Sequence, residues 1–422
     1  MGTIGTDTCN DGCTTIKRIT GYRLVAATTD LVKAAVSSEG PVSMAFYWDS
    51  GYFNSGTNIY YYPSCPSSPN HLVSIVGWDD NKGTSGAWIV KNSWGAGWGD
   101  NGYFYLCYDS GNMEEVAFYQ YEDYDSLEKV YYWDEAGLVG KVGYGGNYDA
   151  WMASVFTAEA EQSGTLTNVD FWATSNNAQY EIYVYDDGDP SDGLEGQLTS
   201  QSGTCQEAGY YSIALVTPVS LSAGQQFTIA VKMTTPDHEY PIPIEYEWVV
   251  GPTTMCDPPI QPNVSYISPD AGNWDDLVAY GWNACLRARI NLATITVTAP
   301  NDITAWSFNP AEPQPATEDG VLVVTSNGSW QVTCQDAGAT TAGHMTDWDG
   351  SSYNPSNKLA NALKVAADTE VTLPDGGIIA TGTGDRSVTV TFKQTVLWSD
   401  APLPGGHSYR IVVTFTVTIT GE

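Results

Sequence analysis

The residues of this chain best suited to chemistry are one histidine and one asparagine about twenty positions apart. His71 begins an apolar segment, and Asn92 lies in the Trp/Gly-rich stretch WIVKNSWGAGWGDNGYF, residues 88–104. An imidazole can take up and release a proton near neutral pH. A neutral amide oxygen can accept a hydrogen bond from one ring nitrogen and so decide which nitrogen acts as the base. A histidine at the start of a strand is more often structural than catalytic, because packing or a neighbouring carbonyl satisfies it. The surrounding sequence must therefore show whether this pair is catalytic.

That context is the whole of residues 70–104, which resembles the C-terminal half of papain-like cysteine peptidases. Members of this family use a Cys-His-Asn set, in which the imidazole holds the thiol, with its ordinary pKa of about 8.5, as a thiolate. The resemblance implies that His71 is the general base and acid and that Asn92 orients it. It also implies that Trp94 covers the His–Asn hydrogen bond and keeps water away from it.

Several neighbours of these residues carry weaker expectations. Gly95, Gly97 and Gly99 are expected in a tight turn where side chains would collide with the tryptophans. Asn70 and Leu72 flank the histidine, so they either border the substrate cleft or only pack the barrel.

The nucleophile is not apparent in the sequence. In the family it begins a long helix well upstream of the histidine, in a Gln-containing segment that also forms the oxyanion hole, and nothing in this chain matches that segment. We do not expect Cys9 or Cys13 to replace it, since the residues after Cys13 are typical of a strand. We therefore expect this chain alone to be inactive and the natural protein to extend upstream of Met1. The first residues also lack the charged and apolar regions of a signal peptide.

Composition limits the function classes. The chain has 422 residues, with 16 Lys and Arg against 49 Asp and Glu and a net charge of −33. Without a basic surface, nucleic acid and anionic membranes are disfavoured as partners, and no apolar run is long enough for a membrane span. Such a charge suits a salty extracellular setting. No phosphate-binding loop or dinucleotide fingerprint occurs, so we predict no cofactor.

The eight cysteines are widely spaced and include no CxxC pair, which argues against a zinc or thioredoxin-like site. Disulfides and buried free thiols both remain open. In the family a disulfide cysteine often occurs where Cys65 stands, and Cys107 is the nearest candidate partner.

Three segments are predicted, and the fold class is mainly β. Residues 1–122 are predicted to be the β-barrel half of a papain-like fold, with strands at 19–25 and 41–48 and one short helix at 28–40, whose N-cap lies near Thr29 or Asp30. The family resemblance runs from about Arg18 to Gln120.

Residues 123–295 contain short alternating strands separated by turns, which predicts a β-sandwich. This segment resembles the lectin-like jelly-roll domain of some secreted prokaryotic papain-like proteins. Trp274, in the loop GNWDD, is the best candidate for sugar stacking, whereas Trp172 on a strand is expected in the core. One acidic loop offers weak calcium candidates, although its sequence DDGDPSDG equally suits a hairpin turn. These candidates are Asp186, Asp187, Asp189 and Asp192.

Residues 296–422 are predicted to form a second β-sandwich. Their end resembles a sandwich found at the C-termini of secreted archaeal surface proteins, which suggests display or tethering. The stretch NKLANALKVAAD, residues 357–368, has helical propensity, but its flanking proline and strand patterns favour an extended segment.

Three functions are compatible with these patterns. The leading one is a secreted papain-like cysteine endopeptidase acting on protein or peptide substrates, located outside the cell or on its surface. The alternative is a non-catalytic surface, carbohydrate-binding or adhesion protein that keeps a peptidase remnant. The third is a chain that works only when paired with a separate N-terminal peptidase half. A cell-surface glycan is a candidate partner in the first two.

Overall fold

The computed structural model describes residues 15–65, 67–160 and 162–420. Cys9 and Cys13 lie outside the described residues. The first segment has one helix, α1 (Thr29–Glu39), and eight strands: β1 (Lys17–Val25), β2 (Val42–Phe46), β3 (Phe53–Asn54), β4 (Ile59–Tyr60), β5 (His71–Asp79), β6 (Ala87–Lys91), β7 (Tyr103–Cys107) and β8 (Glu114–Asp123).

The next strands follow β8, and no second α-helix occurs among the described residues. They are β9 (Glu128–Tyr132), β10 (Gly140–Val142), β11 (Asp149–Thr157), β12 (Gly164–Ala173), β13 (Ala178–Tyr185), β14 (Gln197–Cys205), β15 (Gly209–Leu221), β16 (Gln226–Thr234), β17 (Ile242–Tyr246), β18 (Trp248–Val250), β19 (Thr253–Cys256), β20 (Ser265–Ser268), β21 (Asp275–Asp276), β22 (Trp282–Ala284) and β23 (Leu286–Leu292).

The C-terminal strands complete the chain. They are β24 (Ile295–Thr298), β25 (Ala316–Ser326), β26 (Ser329–Gln335), β27 (Thr346–Trp348), β28 (Tyr353–Lys358), β29 (Lys364–Ala366), β30 (Glu370–Thr372), β31 (Gly377–Thr383), β32 (Arg386–Gln394), β33 (Ser408–Arg410) and β34 (Thr414–Ile419). The mainly β prediction is confirmed. Residues 357–368 form no helix: they contain the end of β28 and the whole of β29, with an irregular stretch between them.

Helix α1 forms where the sequence predicts it. Its N-cap is Thr28, directly before Thr29, near which it was predicted, and Asp30 in the first turn suits the positive end of the helix dipole. Gly40 ends the helix with φ of +97°, a conformation that glycine adopts without strain. Val32 and Ala35 are buried and anchor the helix on the sheet.

One twelve-stranded sheet contains all the strands of the first segment and four from the second. Its order is β3-β4-β7-β6-β5-β2-β8-β1-β15-β12-β23-β9. The core of the first segment lies between this sheet and α1, and its largest fully buried side chains include Trp88, Tyr60, Phe46 and Phe104. These side chains fix the register of the strands that carry the histidine and the asparagine.

The two segments join where β1 pairs antiparallel with β15, with Tyr22 opposite Tyr210. Gly209, at the end of this pairing, has φ of +151°, and an added Cβ would collide with the Tyr22 carbonyl. The junction therefore requires glycine at this position.

The lectin-like segment adds a six-stranded sheet, β14-β13-β16-β11-β20-β21, and a three-stranded sheet, β10-β17-β22. Val231, Ile229 and Ile182 are fully buried in it. The alternation of buried and exposed residues along β13 follows from the period of two in a pleated strand.

The chain divides into two compact units. The first contains residues 1–157, 166–219 and 226–291, and the second contains residues 158–165, 220–225 and 292–422. The predicted boundary after residue 122 falls within β8, and that after residue 295 falls within β24. These domain boundaries stay predictions.

The second unit is built from a five-stranded sheet, β24-β25-β32-β29-β30, and two three-stranded sheets, β31-β26-β34 and β28-β27-β33. Trp330, Leu322, Val332 and Val390 are buried in its main core. This agrees with the predicted C-terminal β-sandwich.

All six described cysteines are free, so the candidate disulfide between Cys65 and Cys107 is not formed. Cys107 is fully buried in β7, whereas the Cys65 thiol points to the Ser67 carbonyl at 3.7 Å. Within the described residues, no helix has the length and hydropathy needed to cross a membrane.

Candidate active site

The pairing of β2 with β5 places His71 at the start of a strand. Phe46 stands opposite His71 in this antiparallel pair, and the Asn70 amide N–H donates to the Phe46 carbonyl at 3.1 Å. The Asn70 side chain then closes the strand end. Its Oδ1 accepts from the Trp48 N–H at 2.7 Å, and its Nδ2 donates to the Trp48 carbonyl at 3.1 Å. Asn70 thus fixes the backbone on which His71 is mounted.

Asn92 directly follows β6 and is held by its own backbone, whose N–H donates to the Gly102 carbonyl at 2.9 Å. The residue is buried. Its side-chain Oδ1 lies 2.9 Å from Nε2 of His71 and also accepts from the Ser93 N–H at 2.8 Å.

These two contacts decide the tautomer of the imidazole. The Ser93 N–H can only donate, so the Asn92 atom between the two groups must be the oxygen, and Nε2 of His71 must carry a hydrogen. In the neutral ring, Nδ1 is then the basic nitrogen. Within the described residues, Nδ1 makes no hydrogen bond, so it is free to accept a proton.

Trp94 covers the histidine. The Trp94 and His71 rings are stacked with centroids 4.9 Å apart and an angle of 22° between their planes. Trp98 and Trp48 stand edge-on to Trp94 at 4.9 and 5.0 Å. Trp94 is 44% exposed, so it forms the outer face of this cluster. The indole covers one face of the imidazole. The predicted shielding of the His–Asn hydrogen bond from water stays a prediction.

Trp48 is a site residue that the sequence analysis did not single out. Its ring centroid lies 6.4 Å from that of His71 and 5.0 Å from that of Tyr60, on which it stacks. The only sequence signal is its position at the end of the predicted strand 41–48. The register of β2 against β5 was needed to bring it to the histidine.

The glycine turn has a different cause from the one predicted. A Cβ added at Gly95 or Gly97 would meet nothing within 4 Å, so the tryptophans do not exclude side chains there. At Gly99, φ is +58°, and a Cβ would collide with the Tyr103 carbonyl. Gly95 is explained by its φ of +84°. Backbone conformation at Gly95 and Gly99 and one backbone collision at Gly99, rather than crowding by rings, therefore favour glycine, and nothing in the structure requires it at position 97.

The two cleft candidates differ in exposure and in contacts. Leu72 is 61% exposed next to the histidine. The Asn70 side chain is engaged by Trp48, as described above. The assignment of His71, Asn92 and Trp94 as catalytic residues, and of Asn70 and Leu72 as cleft residues, stays a prediction.

The candidate sites in the lectin-like segment lie apart from this cluster in the chain. Trp274 is half-buried, and its indole N–H donates to the Ala271 carbonyl at 3.0 Å. In the acidic loop, Asp187 accepts from the backbone of Asp189 and Glu195, and Asp189 caps a short 3-10 helix at Pro190–Asp192. These are turn contacts. Asp186 and Asp192 belong to the same loop, and the described parts of the chain contain no group of three or more His, Cys, Asp or Glu residues placed to hold a metal ion.

None of the described cysteines is hydrogen-bonded to His71. Burial raises the pKa of the Cys107 thiol, and it raises the pKa of Cys205 to about 12. A thiol with a raised pKa is a poor nucleophile at neutral pH.

Two ranges of the chain match known protein families. Residues 4–121 match the papain family cysteine protease, and residues 130–289 match the lectin like domain. Cathepsin S of Bos taurus is 41% identical over 91 residues, which are 21% of this chain and 27% of that protein. Cathepsin J of Mus musculus is 45% identical over 89 residues, 20% of this chain and 26% of that protein. The chain spans about a quarter of the length of the curated relatives it matches.

Solved structures cover more of the chain. The clostridial cysteine protease Cwp84 after propeptide cleavage superposes with a TM-score of 0.58 and 25% identity, covering 68% of this chain and 74% of that one. The cysteine protease and lectin-like domains of Cwp84 from Clostridium difficile also give a TM-score of 0.58, with 24% identity, covering 68% and 66% of the two chains. Two stretches of the chain therefore match known domains in this order: residues 4–121 the papain family cysteine protease and residues 130–289 the lectin like domain.

Proposed function

We propose that residues 1–122 supply the general base and its orienting group to a papain-like cysteine endopeptidase. The observation that carries this proposal is the 2.9 Å contact between His71 Nε2 and Asn92 Oδ1 beneath the stacked Trp94 ring. A surface histidine without a catalytic role has no need for a buried amide that fixes its tautomer.

In the proposed reaction, Nδ1 of His71 takes the proton of a cysteine thiol, and the thiolate attacks the carbonyl carbon of the peptide bond. The imidazolium then gives its proton to the leaving amine. Nδ1 next takes a proton from water, and the resulting hydroxide attacks the carbonyl carbon of the thioester. The carbon–sulfur bond breaks, the acid is released, and the imidazolium returns its proton to the leaving thiolate. Asn92 keeps Nε2 protonated throughout, and Trp94 limits access of water to that bond.

The thiol in this proposal belongs to a Gln-containing segment of the kind found in the family, outside the described residues. We therefore propose that the chain by itself is inactive and works with a preceding or separate N-terminal peptidase half. Its substrates are then proteins or peptides.

We propose that the enzyme acts outside the cell or on its surface. The net charge of −33 suits such a setting, and Cwp84 is described as a surface layer associated protein. In this proposal, residues 123–295 and 296–422 hold the peptidase near surface glycan or protein.

Covalent labelling by an epoxide inhibitor of papain-like enzymes, measured by intact mass, tests the peptidase proposal. The chain of residues 1–422 is compared with an extended chain that is joined to a QGxCGxCW-containing segment. We expect one adduct on the extended chain only, lost in His71→Ala and kept in the matched variant His238→Ala.

Two results would contradict this proposal. An adduct on the chain without the added segment would assign the nucleophile to one of its own cysteines, Cys9 and Cys13 included. No adduct on either chain would favour the non-catalytic surface or adhesion protein, for which the lectin-like domain at residues 130–289 is the supporting observation.

A further inference from the structure

A cavity of about 440 Å³ lies within the first unit, where the peptidase strands β1 and β8 meet strands β9, β12, β15 and β23. Five aromatic side chains line it, and we call it the aromatic pocket: Tyr22, Tyr119, Tyr132, Trp172 and Tyr210. Its volume is within the usual range for small-ligand sites, roughly 300–1,000 Å³. The site around His71 does not use any of these residues.

Four of the five rings of the aromatic pocket form a continuous wall. Tyr22 lies 5.3 Å from Tyr119 and 5.7 Å from Trp172, and Trp172 lies 5.4 Å from Tyr210, measured between centroids. Tyr119 and Tyr132 are 44% and 47% exposed, whereas Tyr210 is buried. The pocket is thus open at two tyrosines and closed at its floor. Trp172, which the sequence placed in the core, is half-buried on this wall.

The charges around the aromatic pocket are already compensated. Arg287 Nε lies 2.9 Å from Asp134, and Arg289 Nε lies 2.7 Å from Asp170. Arg18 is paired with Glu128. An anionic ligand would find each guanidinium already held by a carboxylate. A cationic ligand would find no carboxylate among the residues that line the pocket. These pairs favour a neutral ligand.

The floor of the aromatic pocket is rigid. Arg289 is almost fully buried and donates through Nη2 to the Ile19 carbonyl at 2.9 Å, which ties the lectin-like strand β23 to the peptidase strand β1. The Tyr210 hydroxyl donates to Asp170 in the same network. Rings held in place before binding lose little conformational entropy on contact with a ligand.

We propose that the aromatic pocket binds a neutral saccharide. One face of a pyranose ring carries C–H groups that stack on aromatic faces such as Tyr119 and Tyr132, while its hydroxyl groups remain free for polar contacts at the pocket rim. The sugar would therefore be held at the junction of the two domains, at a place different from Trp274. This inference rests on the surface-binding part of the proposed function and not on the catalytic part.

Titration of the whole chain with N,N′-diacetylchitobiose and with maltose, followed by ligand-observed NMR and tryptophan fluorescence, tests the proposal. We expect at least one of these neutral disaccharides to bind. We also expect Tyr119→Leu and Tyr132→Leu each to weaken binding about fivefold. Tyr132→Phe keeps the ring and retains most of the affinity. Trp248→Leu is the matched control, because this exposed tryptophan is in the same domain but does not line the pocket.

Three results would overturn the proposal: no binding of either disaccharide, binding that survives Tyr119→Leu and Tyr132→Leu, or loss of binding in Trp274→Leu instead. Preferential binding of phenylalanine amide over both disaccharides would also overturn it, because the pocket would then suit an aromatic side chain. The titration is repeated with His71→Ala, in which binding is expected to be unchanged. Failure of sugar binding and failure of the epoxide labelling are therefore distinguishable.

Discussion

Asn92 Oδ1 accepts hydrogen bonds from two donors at once, from His71 Nε2 at 2.9 Å and from the Ser93 N–H at 2.8 Å. Because an amide oxygen has two lone pairs, it can satisfy both donors, and the amide nitrogen could satisfy neither. The backbone of Ser93 thereby holds the orientation of the amide, and the amide in turn selects the tautomer of the imidazole.

Replacing Asn92 by alanine is expected to release that tautomer. In Asn92→Ala the Nε2 proton loses its acceptor, so the neutral His71 ring shifts toward the Nδ1-protonated form. The tautomer ratio is measured from the ¹⁵N chemical shifts of the ring. Asn92→Asp keeps an acceptor oxygen and is expected to keep the Nε2-protonated form. An unchanged ratio in Asn92→Ala would mean that another group selects the tautomer.

Removal of the Trp94 ring is expected to expose the His71–Asn92 bond to water. In Trp94→Ala the Nε2 hydrogen of His71 exchanges with solvent faster. Folding stability falls by about 2 kcal/mol, because the ring contacts with His71, Trp98 and Trp48 are lost together. Solvent-exchange NMR and urea unfolding measure the two effects. Trp398→Ala is the control, since this side chain is 79% exposed. Equal exchange rates in Trp94→Ala and the parent chain would refute the shielding role.

The glycine turn offers a matched pair of variants. Gly99→Ala forces φ near +58° on a residue with a side chain and pushes its Cβ against the Tyr103 carbonyl. We expect a loss of about 2 kcal/mol in the free energy of unfolding. Gly97→Ala has open space, so its change should stay within about 0.5 kcal/mol. Urea unfolding measures the free energy of unfolding of both variants. Similar losses in Gly99→Ala and Gly97→Ala would show that the collision at Gly99 does not destabilise the protein.

The buried pair of Arg289 and Asp170 is expected to be essential for the first unit. Asp170 is fully buried, and Arg289 also contacts Glu122 on the peptidase strand β8 at 3.0 Å. Asp170→Asn removes the one fully buried carboxylate that pairs with Arg289 and leaves the more exposed Glu122 and Glu128, so it should destabilise the unit by about 3 kcal/mol.

The exposed pair of Asp368 and Arg386 provides the comparison for this loss. Asp368→Asn should change stability by less than about 1 kcal/mol. Thermal or urea unfolding gives both values. Equal losses from Asp170→Asn and Asp368→Asn would argue against a structural role for the buried pair.

Because the Cys334 thiol is buried, we expect the stability of the protein to decline at alkaline pH. Burial raises the pKa of Cys334 from its ordinary value near 9 to about 11. Between these values the folded thiol keeps its proton while the unfolded thiol loses it, so the folded state binds more protons. The contribution is therefore fully present below pH 9, and the free energy of unfolding falls by up to about 1.4 kcal/mol per pH unit as pH rises toward 11.

The variant Cys334→Ala isolates this effect. Other groups titrate equally in both proteins, so the difference between their urea-unfolding curves from about pH 8 to about pH 11 reports the thiol alone. A constant difference across that range would contradict the burial argument.

The sequence by itself determined the parts of this protein that depend on local patterns. It singled out His71, Asn92 and Trp94 as site candidates, because residues 70–104 are distinctive along the chain. It predicted α1, because the N-cap candidates Thr29 and Asp30 and the following Gly40 are short-range features. It also predicted a mainly β fold, since alternation with a period of two and turn residues are visible in any short window.

Only the tertiary structure decided which distant residues meet. The register of β2 against β5 brought Trp48 to His71 and engaged the Asn70 side chain, and no local pattern encodes that register. The pairing of β1 with β15 joins residues that lie far apart in the chain, as Tyr22 and Tyr210 show. Because of that pairing, Tyr22 contacts Trp172. Trp172 was expected in the core but lies half-buried on the wall of the aromatic pocket. A side chain's surroundings depend on such long-range pairing, whereas its secondary structure depends mostly on its neighbours in the chain.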